Sequence, residues 1–255
     1  MIDIHCHILP GVDDGAPNYA NSLLMAKQAE AEGIHTIIAT PHHQNGTYFN
    51  EKINILSRIE ELNAYLKTEN CKVNILPGQE IQIYGDLLRD YEDGKIMTLA
   101  DQSTYVLIEL PKSHVPGYTS QLFFDIQMRG LTPIIANPER NLEFIEQHDH
   151  LYSLVKNGAA TQISSGSLTG HFGKKVQKFA LDLVDGNLAH FVASNAHNAK
   201  KRSFRMEEAF DVIQKKYGSD HISYFQNNAK AVVKGDHIYR DIPKRIKRRK
   251  IMGLF

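Results

Sequence analysis

The chain alternates short apolar segments with polar loops and amphipathic segments, about seven times over its 255 residues. YVLIEL at 105–110 is typical of a strand, whereas residues 51–69 place apolar side chains at helical spacing. Such alternation predicts a parallel sheet with helical crossovers. Because the strands are apolar throughout, we expect both faces of the sheet to be covered.

Polar residues follow the carboxyl end of almost every predicted strand. A barrel enzyme builds one shared site from such ends, whereas an open sheet concentrates them at one switch point. The pattern therefore predicts a single α/β domain, a closed or nearly closed barrel over 1–243, followed by a basic tail at 244–255. Neither GxGxxG nor GxxxxGK[ST] occurs, which argues against a dinucleotide or P-loop nucleotide site.

Periodicity and turn residues also predict the individual elements. The predicted strands are 1–4, 36–40, 72–76, 105–110, 131–136, 160–163 and 190–193. The predicted helices are 18–32, 51–69, 84–91, 118–129, 141–156, 170–185 and 203–217. In the first helix we expect Leu23, Leu24, Ala26 and Ala29 to face inward.

Composition restricts the class of protein. Lys plus Arg and Asp plus Glu both number 29, so no global field favours nucleic acid or an anionic membrane. Two cysteines argue against a disulfide framework and fit a reducing cytosol. The N-terminus lacks the pattern of a signal peptide, and no apolar stretch is long enough to span a membrane. We therefore expect a cytoplasmic protein.

The first fifteen residues contain the densest group of candidate ligands. Because side chains alternate along a strand, His5 and His7 point to one side and Cys6 to the other. The chain then turns and delivers Asp13 and Asp14. Paired imidazoles and carboxylates can hold a metal ion. The alternative is a histidine-rich strand that ends in a solvated acidic turn.

Similar residues recur at the ends of the later strands. The candidate set is His5, His7, Asp14, His42, His43, Glu80, Glu109, Asn137, Arg140, Asn195, His197 and Arg202. In a barrel these residues converge, and a carboxylate such as Glu80 can bridge two ions. Mixed nitrogen and oxygen ligands favour Mn, Fe or Zn. The two arginines can bind phosphate through two donors each. Taken singly, a histidine is more often a core or surface residue, and Arg140 could simply cap the Pro138 turn with Glu139.

The motifs HCH…VDDG, TPHH, PGQE, LIEL, NPER and SNAHN occur in the order and spacing of the polymerase-and-histidinol-phosphatase (PHP) superfamily. Within it the chain resembles, over its whole length, the bacterial manganese-dependent protein-tyrosine phosphatases of capsule and exopolysaccharide loci. The resemblance implies a distorted (β/α)7 barrel with up to three metal ions. The implied substrate is phosphotyrosine on a bacterial tyrosine kinase that regulates polysaccharide synthesis, attacked by a metal-activated hydroxide.

The resemblance also implies three ligand sets. They are His5, His7, Glu80 and position 195; Asp14, His42 and His197; and Glu80, Glu109 and position 137. Arg140 and Arg202 would bind the phosphoryl group.

Two positions depart from the family pattern. Asn137 stands where histidine is expected and Asn195 where aspartate is expected. A neutral amide oxygen is a poorer ligand for these metals, so we expect reduced occupancy and turnover. Three functions stay open: a metal-dependent tyrosine phosphatase, a non-catalytic phosphotyrosine-binding homologue, and a small-molecule phosphoesterase. The basic tail could be a solvated segment, a docking segment for an acidic kinase or membrane, or a contact in a homo-oligomer.

Overall fold

The computed structural model describes residues 1–246. Its strands are β1 (Ile2–Cys6), β2 (Thr36–Ala39), β3 (His42–His43), β4 (Asn74–Pro77), β5 (Glu80–Gln82), β6 (Tyr105–Glu109), β7 (Thr132–Ala136), β8 (Ala160–Ser164) and β9 (Phe191–Ala193). Its α-helices are α1 (Tyr19–Ala31), α2 (Lys52–Thr68), α3 (Leu87–Glu92), α4 (Thr119–Met128), α5 (Leu142–Glu146), α6 (His148–Lys156), α7 (Ser165–Leu168), α8 (Lys174–Asp185), α9 (Met206–Tyr217) and α10 (Ser219–Lys234). Most of the predicted basic tail, residues 247–255, lies outside the described residues.

The strands form two parallel sheets that together make a ring. One sheet has the order β1-β2-β4 and the other β3-β5-β6-β7-β8-β9. β3 follows β2 after two residues, and β5 follows β4 after two, so each pair occupies one position in the ring. The N–H of Asn195 donates to the carbonyl of His5 (2.9 Å) and the N–H of His7 donates to the carbonyl of Ala196 (2.8 Å). These bonds join the chain after β9 to β1 and confirm the predicted distorted seven-position α/β barrel.

Two apolar layers flank the strands. The inner layer fills the ring with side chains from most strands, among them Ile4, Leu107, Ile134 and Phe191. The outer layer lies between the strands and the surrounding helices. Ala229 and Val232 of α10 join the inner layer. The helix therefore closes the ring at the end opposite the candidate site.

Several predicted elements need correction. The last predicted helix ends at residue 217, whereas the structure has a further helix, α10 (Ser219–Lys234). The helix predicted from residue 170 begins at Lys174, after the turn at 169–173. Leu24 does not face inward: its side chain is 51% exposed. The buried face consists of Ser22, Met25, Ala26 and Ala29. The hydroxyl of Ser22 donates to the carbonyl of Ile8 (2.7 Å). Most other boundaries shift by one or two residues.

A register irregularity in β1 changes which side chains face the ring interior. Asp3 pairs with Ile37 and Cys6 with Ala39, so β1 carries one extra residue between them. Ile4 belongs to the inner apolar layer and Cys6 to the outer one. The extra residue reverses the alternation, and His5 and His7 point into the mouth of the ring beyond Ile4.

Candidate active site

His5 and His7 are each oriented by a buried polar partner. Nδ1 of His5 lies 2.8 Å from Oε1 of Gln162, and Nδ1 of His7 lies 2.6 Å from Oδ2 of Asp13. Both Nε2 atoms are thus left for the interior of the site. Burial opposes protonation of His7, but the charge and hydrogen bond of Asp13 outweigh it and raise the pKa of His7 to about 10. Asp13 therefore supports His7.

The turn that carries the acidic residues packs tightly on β1. Asp13 also accepts the backbone N–H groups of Gly15 (2.9 Å) and His42 (3.1 Å). A Cβ atom at residue 15 would lie 2.1 Å from the carbonyl oxygen of His7, so only glycine permits this approach. The tight turn fixes Asp13 beneath His7 and leaves Asp14 at the mouth.

Glu80 stands at the centre of the candidate ligands. Its carboxylate lies 3.2 Å from Nε2 of His5, 3.2 Å from Nε2 of His7 and 3.1 Å from Nδ1 of His42. The side chain is 1% exposed. Burial alone would raise the pKa of Glu80, but the three imidazoles hold it well below its usual value. The residue therefore stays ionised.

Asp14 joins two further histidines. Its Oδ1 lies 3.4 Å from Nε2 of His42 and 3.3 Å from Nε2 of His197. Proximity to the imidazoles of His197 and His42 lowers the pKa of Asp14. Burial and the positive charge on His7 lower the pKa of His197 to about 3, so this imidazole is neutral at pH 7. Asp14 is 45% exposed and therefore faces the opening.

Glu109 lies at the end of β6, on the other side of His42. Its Oε2 is 3.7 Å from Nδ1 of His42. Burial, and then the charge on Glu80, raise the pKa of Glu109. Two carboxylates and an imidazole thus meet on this side.

The two expected ligand positions with amide side chains are also at the mouth. Asn137 and Asn195 are both buried and both adopt left-handed backbone conformations, with φ of 47° and 48°. Oδ1 of Asn195 lies 3.4 Å from Nη2 of Arg202. Oδ1 of Asn137 has no hydrogen-bond partner among residues 1–246. Asn137 lines a small cavity with Glu109 and Arg140.

The two arginines approach the site from different loops. Nη1 of Arg202 lies 3.3 Å from Oδ2 of Asp14. The guanidinium of Arg140 lies 4.6 Å from the centre of the Phe172 ring. Neighbouring Glu139 is fully buried and accepts hydrogen bonds from the backbone N–H and hydroxyl of Ser164 and from the hydroxyl of Ser167. The end of β8 and helix α7 thus hold the turn that carries Arg140.

The donor set fits divalent cations. Three groups have ligand atoms within 4.8 Å of one another: His5, His7 and Glu80; His7, Asp14, His42 and His197; and His42, Glu80 and Glu109. Within residues 1–246, both oxygens of Glu80, Nδ1 of His42 and Nε2 of His197 are buried, and none of their close contacts has hydrogen-bond geometry. Unpaired buried polar atoms are costly, and a bound cation would satisfy them. Imidazole and carboxylate ligands suit Mn, Fe or Zn.

Two supporting residues escaped the sequence analysis. Gln162 orients His5, and its only sequence signal is its position as a polar residue inside the strand ATQIS. Phe172 lies against Arg140, and nothing in its local sequence indicates this contact. His43, a member of the predicted candidate set, is buried and belongs to none of the three candidate ligand groups.

Comparison with known proteins agrees with this geometry. Residues 1–234 match the family described as capsular polysaccharide synthesis, CpsB/CapC. The chain belongs to the CpsB/CapC family. It is 49% identical to the tyrosine-protein phosphatase YwqE of Bacillus subtilis, over all of both chains. The resemblance noted from the motifs is thereby confirmed.

Solved structures agree with the fold. A crystal structure from work on YwqE of Bacillus subtilis and CpsB of Streptococcus pneumoniae, described as metal-dependent tyrosine phosphatases, superposes with a TM-score of 0.95. It is 49% identical and the match covers 97% of this chain and all of that one. A histidinol phosphate phosphatase of Lactococcus lactis shares the fold, with a TM-score of 0.52 at 15% identity, over 96% of this chain and 98% of that one. Among residues 1–246, no helix has both the length and the apolar character needed to cross a bilayer.

Proposed function

We propose that this chain is a metal-dependent protein-tyrosine phosphatase that hydrolyses phosphotyrosine on a bacterial tyrosine kinase regulating capsular or exopolysaccharide synthesis. The observation that carries the proposal is the convergence of three histidines on the buried carboxylate of Glu80, at 3.1–3.2 Å, beside a second group around Asp14. Full-length similarity to YwqE supports the same activity.

The proposed metal ligands are His5, His7, Asp14, His42, Glu80, Glu109 and His197, with Asn137 and Asn195 beside them. Manganese is the proposed ion, with iron and zinc as alternatives. Bound divalent ions would supply Lewis acidity, which lowers the pKa of water and neutralises phosphate charge. Asp13 and Gln162 orient the histidines, and Glu80 lies buried at the base of the site.

Arg140 and Arg202 are proposed to bind the phosphoryl group. Both guanidinium groups reach the mouth, one held through Asp14 and the other against Phe172. A guanidinium presents paired N–H donors that match phosphate oxygens. The arginines would therefore orient the ester and stabilise the charge that develops on it.

A covalent cysteine route has no support in this chain. Cysteine phosphatases place an arginine six residues after the nucleophile, and here those positions hold Val12 and Pro77. Burial raises the pKa of both Cys6 and Cys71, which disfavours the reactive thiolate. We therefore propose direct attack by water rather than a phospho-enzyme.

A second candidate is a phosphotyrosine-binding protein with little turnover. Asn137 and Asn195 favour it, because each places a neutral amide at an expected ligand position. Binding by the arginines would survive this loss, whereas catalysis depends on the number and position of the ions.

Phosphopeptide turnover tests the proposal. We expect Mn²⁺-dependent release of phosphate from a phosphotyrosyl peptide, abolished by EDTA and by Glu80→Ala. Exposed Glu207→Ala provides the matched control. Hydrolysis that resists EDTA, or a preference for histidinol phosphate, would contradict the proposed function. Tight phosphopeptide binding without turnover would favour the second candidate.

The proposal includes the cellular setting. Its remaining parts are a cytoplasmic location, a phosphorylated kinase as partner and self-association into a homo-oligomer. Light scattering of the purified chain measures self-association. Co-purification with a tyrosine-phosphorylated kinase tests the partner.

A further inference from the structure

A cavity of about 470 Å³ opens over the candidate ligands. Asp14, His42 and Glu109 line its base. Its sides come from the loop after β3, with Asn45, Thr47 and Tyr48, and from the loop after β6, with Leu110, Pro111 and Lys112. The cavity is thus polar where the ligands lie and partly apolar along its walls.

The loop after β3 holds Tyr48 in a defined place. The side-chain oxygen of Asn45 accepts the backbone N–H groups of Thr47 (3.1 Å) and Tyr48 (2.9 Å). The side chain of Asn50 donates to the carbonyl of His42 (2.8 Å). The loop is therefore bound back onto β3. The Tyr48 ring lies nearly parallel to the His42 imidazole, at 9°, with 6.3 Å between ring centres.

The opposite wall is apolar close to the site and charged at its rim. Leu110 and Pro111 directly follow the strand that delivers Glu109, so their positions are tied to the ligand. Lys112 is exposed at the edge. Between this wall and Tyr48 the cavity offers apolar surface above a polar base.

We propose that Tyr48, together with Leu110 and Pro111, forms a slot for the phenyl ring of phosphotyrosine, so that the site selects aryl over alkyl phosphate esters. This inference rests on the proposed function and names the residue that would set its specificity. Asp14, His42 and Glu109 line the base of the cavity and Tyr48 lines its side, so an ester bound at these ligands places its alcohol group beside Tyr48. A phosphotyrosyl side chain has both the length and the ring, whereas phosphoserine has neither.

Variants at residue 48 separate ring contact from structural support. Tyr48→Ala removes the ring, and Tyr48→Phe keeps it. Phe49→Ala is the matched control, because Phe49 belongs to the same loop but lines only the neighbouring cavity. Each protein is assayed with Mn²⁺ on phosphotyrosyl and phosphoseryl peptides of identical flanking sequence.

We expect Tyr48→Ala to lower kcat/KM for the phosphotyrosyl peptide about tenfold, mainly through KM, as loss of an aromatic contact implies. The rate on the phosphoseryl peptide stays unchanged, and Tyr48→Phe and Phe49→Ala resemble the parent. An unchanged ratio of the two substrates in Tyr48→Ala would overturn the proposal. An equal loss on both, with a lower Tm, would overturn it in favour of a structural role.

Measurements of peptide binding keep the test of the aromatic slot separate from the test of the proposed phosphatase activity. If the parent chain hydrolyses neither peptide, the proposed activity fails, and the slot is measured by fluorescence anisotropy with the labelled peptides. A tenfold weaker Kd of Tyr48→Ala for the phosphotyrosyl peptide alone supports the slot. Equal affinities of parent and variant refute it.

Discussion

The contact between Asp13 and His7 predicts how the stability of the metal-free protein depends on pH. The two side chains are buried and 2.6 Å apart. The charge and hydrogen bond of Asp13, followed by those of Glu80, overcome burial and raise the pKa of His7 to about 10. An unfolded histidine titrates near 6.5. The contribution is therefore fully present below pH 6.5 and is lost as pH rises through 10.

The size of the effect follows from these two pKa values. Linkage gives a loss of roughly 2–3 kcal/mol in the free energy of unfolding between pH 7 and pH 9. For a chain of this size that corresponds to a fall in Tm of roughly 5–10 °C. Asp13→Asn removes the charge but keeps an oxygen for the backbone N–H groups of Gly15 and His42. We expect this variant to be less stable at pH 7 and to approach the parent at pH 9.

Unfolding in EDTA, followed by circular dichroism at pH 7, 8 and 9, measures the effect. Exposed Asp211→Asn is the matched control for the loss of one carboxylate. A parent protein equally stable at pH 7 and pH 9, or an Asp13→Asn variant that keeps the full loss, would refute the reasoning. Added Mn²⁺ should reverse the trend, because a ligand imidazole must be neutral and metal binding strengthens as pH rises.

Three further predictions concern other parts of the barrel. Burial lowers the pKa of His190 to about 3, so we expect the free energy of unfolding to fall by about 2 kcal/mol from pH 7 to pH 5. The variant His190→Asn should show a smaller fall when unfolding is measured by urea titration. Phe172→Leu should raise KM for the phosphopeptide a few-fold, because Arg140 loses its aromatic contact. Phe172→Trp retains an aromatic ring and should leave KM unchanged. A Phe172→Leu variant with unchanged KM would show that the ring does not position the arginine. The double variant Asn137→His with Asn195→Asp should contain more bound metal, measured by mass spectrometry. Its Mn²⁺-dependent rate should rise by at least about tenfold. Three tightly held ions and normal turnover in the parent would contradict the last expectation.

Much of the site could be predicted because its ligands follow strands. Parallel strands end at one rim, so residues that stand directly after them converge whatever their separation along the chain. For this reason the side chain of His42 lies 3.1 Å from that of Glu80 and 3.7 Å from that of Glu109. The sequence predicted less well which ligands would share an ion, since His7 and His42 each belong to two of the three candidate ligand groups.

Other features depend on contacts distant in sequence. α10 has an ordinary amphipathic pattern, and only its place across the ring explains why Ala229 and Val232 are buried. Ser22 lies on the buried face of α1 and donates to the carbonyl of Ile8, whereas Leu24 lies on an exposed face. Local periodicity does not reveal such contacts with distant residues.

By itself, the sequence determined the alternation of strands and helices, the barrel class and the types of ligand at its mouth, because these follow from local hydrophobic period and position along each strand. Only the tertiary structure decided that an extra residue in β1 turns His5 and His7 inward, that Gln162 and Asp13 orient them, and that Tyr48 stands beside the cavity. Those relations join segments far apart in the chain, and they exist only once packing has fixed the register between strands and the path of each loop.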